Sequence, residues 1–306
     1  MKILITGGAG FIGSHLVRSY AQRAEVVVLD NLSSGSLEKL KGTPHHFVQG
    51  DVRDLPLLQK ACKGCEIVVH LAAMVSVVES VQNPADCLQI NTLGTLNVLQ
   101  AARDAGAKRV IFASSAAVYG DNPASPKEEA FLPQPRSPYA ISKLDGEYWC
   151  DFFTRQFGLS TIALRFFNVY GNGQNPDSPY AAAVPCFLDR ALNGQPLTIY
   201  GDGQQTRDFI HVRDLAAAIA LAEKTDVTGV FNVGSGNAVS IQALAETLVK
   251  LSGSSSPILY ESPRPGDVRH STADIRKIQG LGFQPKVRLE DGLKELILEG
   301  QKKKLN

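Results

Sequence analysis

The chain has 306 residues, with 31 Lys and Arg against 30 Asp and Glu, a formal net charge of +1, and 44% hydrophobic and 20% charged residues. That balance argues against a dedicated nucleic-acid or membrane-surface binder, and the composition excludes a disordered chain. The length predicts two domains or one large α/β unit, and a chain this long buries about three quarters of its unfolded surface without staples.

The chain opens with Lys2 to Thr6, which reads as a strand and not as the basic, apolar and cleavage regions of a signal peptide; the expected compartment is the cytosol. No apolar run approaches the roughly 18 residues of a membrane span. Further strands are predicted at Val26–Leu29, His46–Val48, Glu66–His70 and Arg109–Ala113, with helical patterns at Phe11–Gln22 and across about Pro84–Ala105. Their apolar runs do not alternate with polar residues, so the strands are buried on both faces of a doubly wound parallel α/β sheet of Rossmann type. Beyond about Asn168 the loops become richer in Gly, Pro, Asn and Gln, with helical patterns at Ala181–Leu192, Val212–Glu223, Ile241–Leu251 and Leu289–Glu299. We expect a dinucleotide-binding domain over 1–168, rejoined by a segment at about 204–235, and a smaller C-terminal α/β substrate lobe over 169–203 and 236–306. Lys302-Lys303-Lys304 reads as a frayed, solvated tail.

Gly7-Gly8-Ala9-Gly10-Phe11-Ile12-Gly13 lies between the first strand and the first helix. Glycines in that setting allow a tight turn and let backbone N–H groups approach a pyrophosphate at the helix N-terminus. Asp30 ends the second strand, where a carboxylate accepts from both ribose hydroxyls and repels a 2′-phosphate; Asn31 to Gly35 supplies no base to hold one, so the expected cofactor is NAD over NADP. Asp51 suits either the adenine amino group or a loop cap. Leu71-Ala72-Ala73 follows the fourth strand, where small side chains leave room for a cofactor.

Tyr139 and Lys143 stand four residues apart, on one face of a helix that Pro138 starts. A lysine ammonium beside a phenol lowers the phenol's pKa toward working pH and makes a base. Ser114-Ser115 ends the fifth strand, at the carboxyl edge facing the cofactor crevice.

With these motifs in place the sequence resembles the extended short-chain dehydrogenase/reductase superfamily, and within it the nucleotide-sugar 4-epimerases. The resemblance runs through Thr6–Gly13, Asp30-Asn31, Asp51, His70–Ala73, Asn91, Ser114–Gly120, Tyr139–Lys143, Leu164–Gly171, Gly201–Gly203, Arg207–Val212 and Arg264–Asp267. It implies that Ser115, Tyr139 and Lys143 are catalytic. Tyr139 would act on the sugar 4-hydroxyl, Ser115 would hydrogen-bond it, and Lys143 would hold the nicotinamide ribose and tune the tyrosine. It also implies cofactor contacts from Gly7, Gly10, Phe11, Ile12, Gly13, Asp30, Asn31, Gly35, Asp51, Val52, Leu71, Ala72, Ala73, Asn91 and Phe167. Asn168, Arg207 and Arg264 match positions that hold the diphosphate, Asp267 one near the uridine ribose, and Ala183, Val184, Thr198 and Tyr200 the uracil pocket. For each arginine alone, a structural salt bridge remains the other reading. The implied reaction moves hydride from C4 to NAD, turns the 4-keto sugar over and returns the hydride to the other face.

Within that family a 4,6-dehydratase would carry an Asp-Glu pair just after the catalytic hydroxyl, and Ala116-Ala117 stands there instead. Ser271 aligns with a position where a tyrosine would crowd a 2-acetamido group, and Ser76 stands where it could line the same pocket. The expected substrates are therefore UDP-glucose and UDP-galactose together with their N-acetyl counterparts. A homodimer through a four-helix interface is expected from the helix carrying Tyr139 and the Pro84–Ala105 pattern. A net oxidoreductase or a different nucleotide-sugar epimerase on the same frame, and a non-catalytic NAD sensor, are the alternatives. Cys62-Lys63-Gly64-Cys65 has no second pair and no histidine array, so it reads as an incidental loop without a metal. His70 and His211 read as structural.

Overall fold

The computed structural model describes residues 1–175, 182–263 and 268–305. The strands are β1 (Lys2–Thr6), β2 (Glu25–Asp30), β3 (His46–Gln49), β4 (Ile67–His70), β5 (Arg109–Ser115), β6 (Ser160–Phe166), β7 (Asn168–Tyr170), β8 (Leu197–Tyr200), β9 (Thr206–His211), β10 (Gly229–Val233), β11 (Ala238–Ser240), β12 (Ile258–Glu261) and β13 (His270–Ser271). The helices are α1 (Phe11–Tyr20), α2 (Leu55–Cys62), α3 (Val77–Gln82), α4 (Pro84–Cys87), α5 (Gly94–Asp104), α6 (Pro138–Phe157), α7 (Ala183–Leu192), α8 (Val212–Lys224), α9 (Ile241–Ser252), α10 (Arg276–Gln279) and α11 (Leu289–Leu305).

Seven strands form one sheet in the order β3-β2-β1-β4-β5-β6-β10, with every pair parallel. This is the doubly wound sheet expected from the alternating pattern. Successive residues of β1 point to opposite faces. Ile3 and Ile5 pack with Leu16 of α1 and Ile219 of α8, whereas Leu4 packs with Leu58 of α2, Val98 of α5 and Phe153 of α6. All the strand carboxyl ends therefore share one edge, flanked by two helical layers.

The smaller lobe has its own core, in which Phe187, Leu197, Ile199, Phe209, Leu244 and Leu293 meet between α7, α9 and α11. Strand β9 pairs with β7, β11 and β13, and β8 with β12. Because β9 belongs to the lobe, the chain rejoins the main sheet with α8 and β10 and not from residue 204.

Two local expectations are corrected, and one helix is added. The Pro84–Ala105 pattern is not one helix: a π turn over Leu88–Leu93 separates α4 from α5. Side-chain hydrogen bonds interrupt the ladder there, since Thr95 Oγ1 donates to Asn91 O at 2.5 Å and the Asn91 amide reaches out of the helix. The three-lysine run is helical, and Lys304 Nζ donates to Leu192 O and Asn193 Oδ1, both at 2.7 Å, placing a cation on the carboxyl end of α7. Helix α3 was hidden by its valines, which favour strands over helices.

Cys62 and Cys65 are buried where α2 turns back toward β4; burial pushes their thiols up to about 12 and about 11. Among the described residues no helix is long and apolar enough to cross a membrane, and no group of three or more His, Cys, Asp or Glu could hold a metal ion.

Between α6 and the sheet lies a buried ion pair, with Arg165 Nε and Nη2 donating to Glu147 at 2.8 and 2.7 Å and both side chains under 5% exposed. Ser114 Oγ donates to the same carboxylate. Removing one partner of such a pair strands the other charge. We expect Glu147→Ala to cost about 3–5 kcal/mol in a urea titration, and Arg165→Met in the same chain to recover part of it. A loss under about 1 kcal/mol would show that the pair does not hold α6 to the sheet.

Candidate active site

The site forms where β1, β2, β4, β5 and β6 end together. Leaving β1, Gly7 takes φ +70° and Gly10 N–H donates to Gly7 O at 3.1 Å. A Cβ on Gly7 would stand 2.8 Å from Ala72 N, and one on Gly13 2.2 Å from Gly7 O, so this close packing admits no side chain. Helix α1 starts at Phe11 without a side-chain cap and without an acid in its first turn. Its free N–H groups, including those of Phe11 and Ile12, remain for an anion.

Asp30 braces this loop. Its Oδ2 accepts from Ala9 N at 2.9 Å and its Oδ1 from Leu32 N at 2.8 Å, and a Cβ on Gly35 would stand 3.0 Å from that Oδ1. An ionised carboxylate has further lone pairs, so Asp30 can still accept from a ribose. Lys39, beyond the Asn31–Gly35 stretch, lies close enough to feel the Asp30 charge.

Asp51 accepts from Arg53 Nε and Nη2 and from Asn31 Nδ2 at 2.8–2.9 Å, which holds its carboxyl down at about 2, with Arg53 the main cause. It is a turn brace joined to Asn31, whatever else it contacts. Val52 is buried, with its side chain toward α5: a Cβ on Gly94 would lie 2.6 Å from Val52 Cγ2. Its side chain therefore faces the core, and its backbone is what it can present to a cofactor.

His70 is a buried bracket. It meets Thr6 Oγ1 at 2.8 Å through Nδ1 and Thr95 Oγ1 at 3.0 Å through Nε2. Thr95 gives its proton to Asn91 O, so it accepts from Nε2–H, and Nδ1 accepts from Thr6. Burial pushes His70 down to about 3 and keeps it neutral. Leu71, Ala72 and Ala73 follow, half-buried, against Gly7.

Asn91, expected at the cofactor, is engaged within the protein. Its Oδ1 accepts from Met74 N at 2.7 Å, and its Nδ2 donates to Met74 O and Ser142 Oγ, both at 3.0 Å. Buried and satisfied, its amide ties the loop after β4 to α6.

Ser137 caps α6 by accepting from Ala140 N at 3.1 Å, and Pro138 occupies the first turn. Tyr139 and Lys143 then share one face, Lys143 Nζ lying 5.8 Å from the Tyr139 ring centre. The Lys143 ammonium donates to Ala113 O of β5 at 2.8 Å and sits 5.1 Å from the Phe112 ring centre. Burial brings Lys143 down to about 8. The Tyr139 hydroxyl faces Ser115; burial raises its pKa and the Ser115 hydroxyl opposes the rise. This corrects the expectation of a lowered phenol: in the protein alone desolvation dominates, and the ammonium is committed to a carbonyl. The two serines separate cleanly, since Ser114 turns to Glu147 and Ser115 toward Tyr139.

On the lobe side, β13 places Ser271 in register with Arg207 of β9. Arg207 Nη1 donates to Thr206 O at 2.8 Å. Asn168 is exposed at the start of β7, and Phe167 is buried, with its amide on Val233 O. Ser76 caps α3 by accepting from Glu79 N at 3.1 Å. Ala183 starts α7, but Val184 belongs to the lobe core. The Thr198 hydroxyl accepts from Arg190 at 3.0 Å, and Tyr200 ends β8 half-buried. Arg264 and Asp267 lie outside the described residues.

The sequence reading passed over Asp208. Fully buried beside Arg207, it accepts from Ser235 N and Oγ, Gly236 N and Ala273 N at 2.6–3.1 Å, tying β9 to the loop after β10 and to the chain after Ser271. An acid leading directly into the apolar Phe209-Ile210 was the available signal.

A family model described as the NAD dependent epimerase/dehydratase family matches residues 3–234. The chain belongs to this family of extended short-chain dehydrogenase/reductases. It is 37% identical over 306 residues to the UDP-glucose 4-epimerase of Mycolicibacterium smegmatis, covering 97% of each chain. A UDP-N-acetylglucosamine 4-epimerase from Methanobrevibacter ruminantium M1, in complex with UDP-N-acetylmuramic acid, superposes with a TM-score of 0.96 at 39% identity over 99% of this chain and 98% of that one. The UDP-glucose 4-epimerase of Thermotoga maritima with UDP-glucose gives 0.95 at 39% identity over all of both chains. The chain is thus an enzyme of an NAD-dependent family, and its glycine turn, uncapped α1 and Asp30 fit that dinucleotide.

Lys143 carries a pH signature. Its ammonium is charged in folded and unfolded chains below about pH 8, where the burial penalty is complete. From there toward 10.5 the folded protein has released the proton that the unfolded chain still binds, so stability contributed at this site rises with pH. We expect wild type to gain on Lys143→Met across that window in urea midpoints. Parallel curves would contradict a depressed lysine.

Proposed function

We propose that this enzyme is a UDP-hexose 4-epimerase, acting on UDP-glucose and UDP-galactose and on their N-acetyl counterparts. One observation carries the reading: Tyr139, Ser115 and Lys143 converge at the carboxyl edge of the sheet, and the turn after Ser115 (Ala116–Tyr119) begins with two alanines. Alanine methyl groups cannot remove a C5 proton or protonate a leaving hydroxyl, as a dehydratase requires there. The names of the similar enzymes support the same reading.

NAD, when bound, supplies reversible hydride acceptance. Tyr139 Oη takes the proton of the sugar 4-hydroxyl and returns it. Ser115 hydrogen-bonds the same sugar oxygen and the phenol, so the proton moves between fixed partners. Lys143, anchored on Ala113, holds the nicotinamide ribose and places positive charge beneath the phenol when the phenol ionises. Gly7, Gly10 and Gly13 hold the pyrophosphate, Asp30 the adenosine ribose, and Arg207 with Asn168 and Arg264 the diphosphate of the sugar nucleotide; guanidinium forks match phosphate oxygens. We place Asp267 near the uridine ribose, and Tyr200 and Ala183 at the uracil. Ser271, half-buried beside Arg207, leaves room for a 2-acetamido group, and Ser76 borders the same space.

The same reading makes the enzyme a homodimer. Ile141, Tyr148 and Phe152 stand exposed along α6, and Leu88 and Leu93 along the π turn, so two copies can pair these helices.

The reaction is redox-neutral overall. We therefore expect the purified protein, without added nicotinamide, to convert UDP-glucose and UDP-N-acetylglucosamine to their C4 epimers. Net accumulation of reduced nicotinamide would instead indicate an oxidoreductase. Ser271→Tyr should lower kcat/KM for the N-acetyl substrate roughly tenfold or more while leaving UDP-glucose within about threefold. An equal loss on both would remove Ser271 as the gate.

A further inference from the structure

We propose that Ser80 is a positioning residue for the catalytic tyrosine, an inference that rests on the epimerase reading above. The first N–H groups of a helix have no partner within it. In α6, Pro138 has none to offer, and Ser137 takes those of Ala140 and Ile141 through Oγ and O, at 3.1 and 2.9 Å. The N–H of Tyr139 is left over, and Ser80 Oγ, from a different helix, accepts it at 3.2 Å. Ser80 is fully buried, and its own proton goes to Val77 O at 2.6 Å. The hydroxyl therefore faces Tyr139 as an acceptor, with its donor direction fixed.

The other end of the same residue is held as well. Ser142 Oγ donates to Tyr139 O at 2.8 Å and accepts from Asn91 Nδ2 at 3.0 Å, and Asn91 grips both backbone groups of Met74. Two strings thus run from the Tyr139 backbone to one short segment. One goes through Ser80; the other goes through Ser142 and Asn91 to Met74. Between Met74 and Ser80 lies Ser76, which caps α3 and which we place on the sugar. Ser80 therefore fixes the base and the substrate-side helix as one body. Nothing in the Tyr-x-x-x-Lys motif discloses this, because the residue stands 59 positions away.

A backbone shift at Tyr139 moves the phenol relative to Ser115 and Lys143. Misplacement on the ångström scale costs up to about 100-fold in rate. Ser80→Ala removes the acceptor, and Ser80→Cys keeps nearly the same volume with a much weaker one, which carries the test if the alanine variant does not fold. In both we expect kcat to fall about 10- to 100-fold with KM for the sugar nucleotide within about threefold, and faster hydrogen exchange at the Tyr139 amide. A purely structural serine would lower the melting temperature and leave kcat unchanged well below it, and unchanged kcat in a folded variant overturns the proposal. If wild type itself forms no C4 epimer, the epimerase reading fails. Amide exchange at Tyr139 then decides the clamp separately: exchange unchanged by either substitution overturns it, and exchange accelerated by both supports it.

Discussion

Lys143 reaches back from the second turn of α6 to the carbonyl of Ala113, and this contact joins the catalytic helix to the strand that ends in Ser115. Together with the Ser114–Glu147 hydrogen bond farther along the helix, it sets the distance between two elements that otherwise pack through apolar side chains. Burial makes the contact selective. An ammonium removed from water requires good acceptors, and Ala113 O is the one placed within 2.8 Å. The lysine cannot swing away without leaving that acceptor, so Tyr139, one turn earlier, is held over a fixed charge.

The buried charges of the molecule divide by purpose. Arg165 and Glu147 neutralise each other behind the sheet edge and draw Ser114 into the pair. Asp208 satisfies itself entirely on N–H and O–H donors and thereby shapes the strand that carries Arg207. Both tie structural elements together, and neither includes Tyr139 or Lys143. Tyr139 and Lys143 differ. Burial pushes the phenol up and the ammonium down, so each is biased toward its neutral form in the protein alone. A site so biased gains most from a partner that brings charge of its own.

Much of this was legible in the sequence, and for identifiable reasons. Buried parallel strands read as unbroken apolar runs, which disclosed β1, β2, β4 and β5, and the glycine turn admits few other uses between a strand and a helix. Strands β6 and β10 escaped because polar residues interrupt them: Arg165 and Asn232 are buried there only because Glu147, Tyr119 and Lys127 satisfy them. The break at Leu88–Leu93 escaped because a helical pattern does not record the hydrogen bonds that a single asparagine makes across the fold. Resemblance assigned Asn91, Val52, Val184 and Thr198 to ligands, yet their side chains are engaged within the protein. Family position identifies a neighbourhood, and side-chain direction shows which of its side chains are free to meet a ligand. Ser80 lay beyond both kinds of reading, since its partner is a backbone group on another helix.

The chemistry rests on one oxygen atom, the phenol of Tyr139, which faces Ser115. Replacing Tyr139 with phenylalanine deletes that atom and leaves the ring, the helix cap and the Lys143 anchor in place. With dinucleotide content and melting temperature matched to wild type, the account predicts that the rate of C4 epimer formation falls by about 100-fold or more. Turnover within a few-fold of wild type in that variant would contradict it.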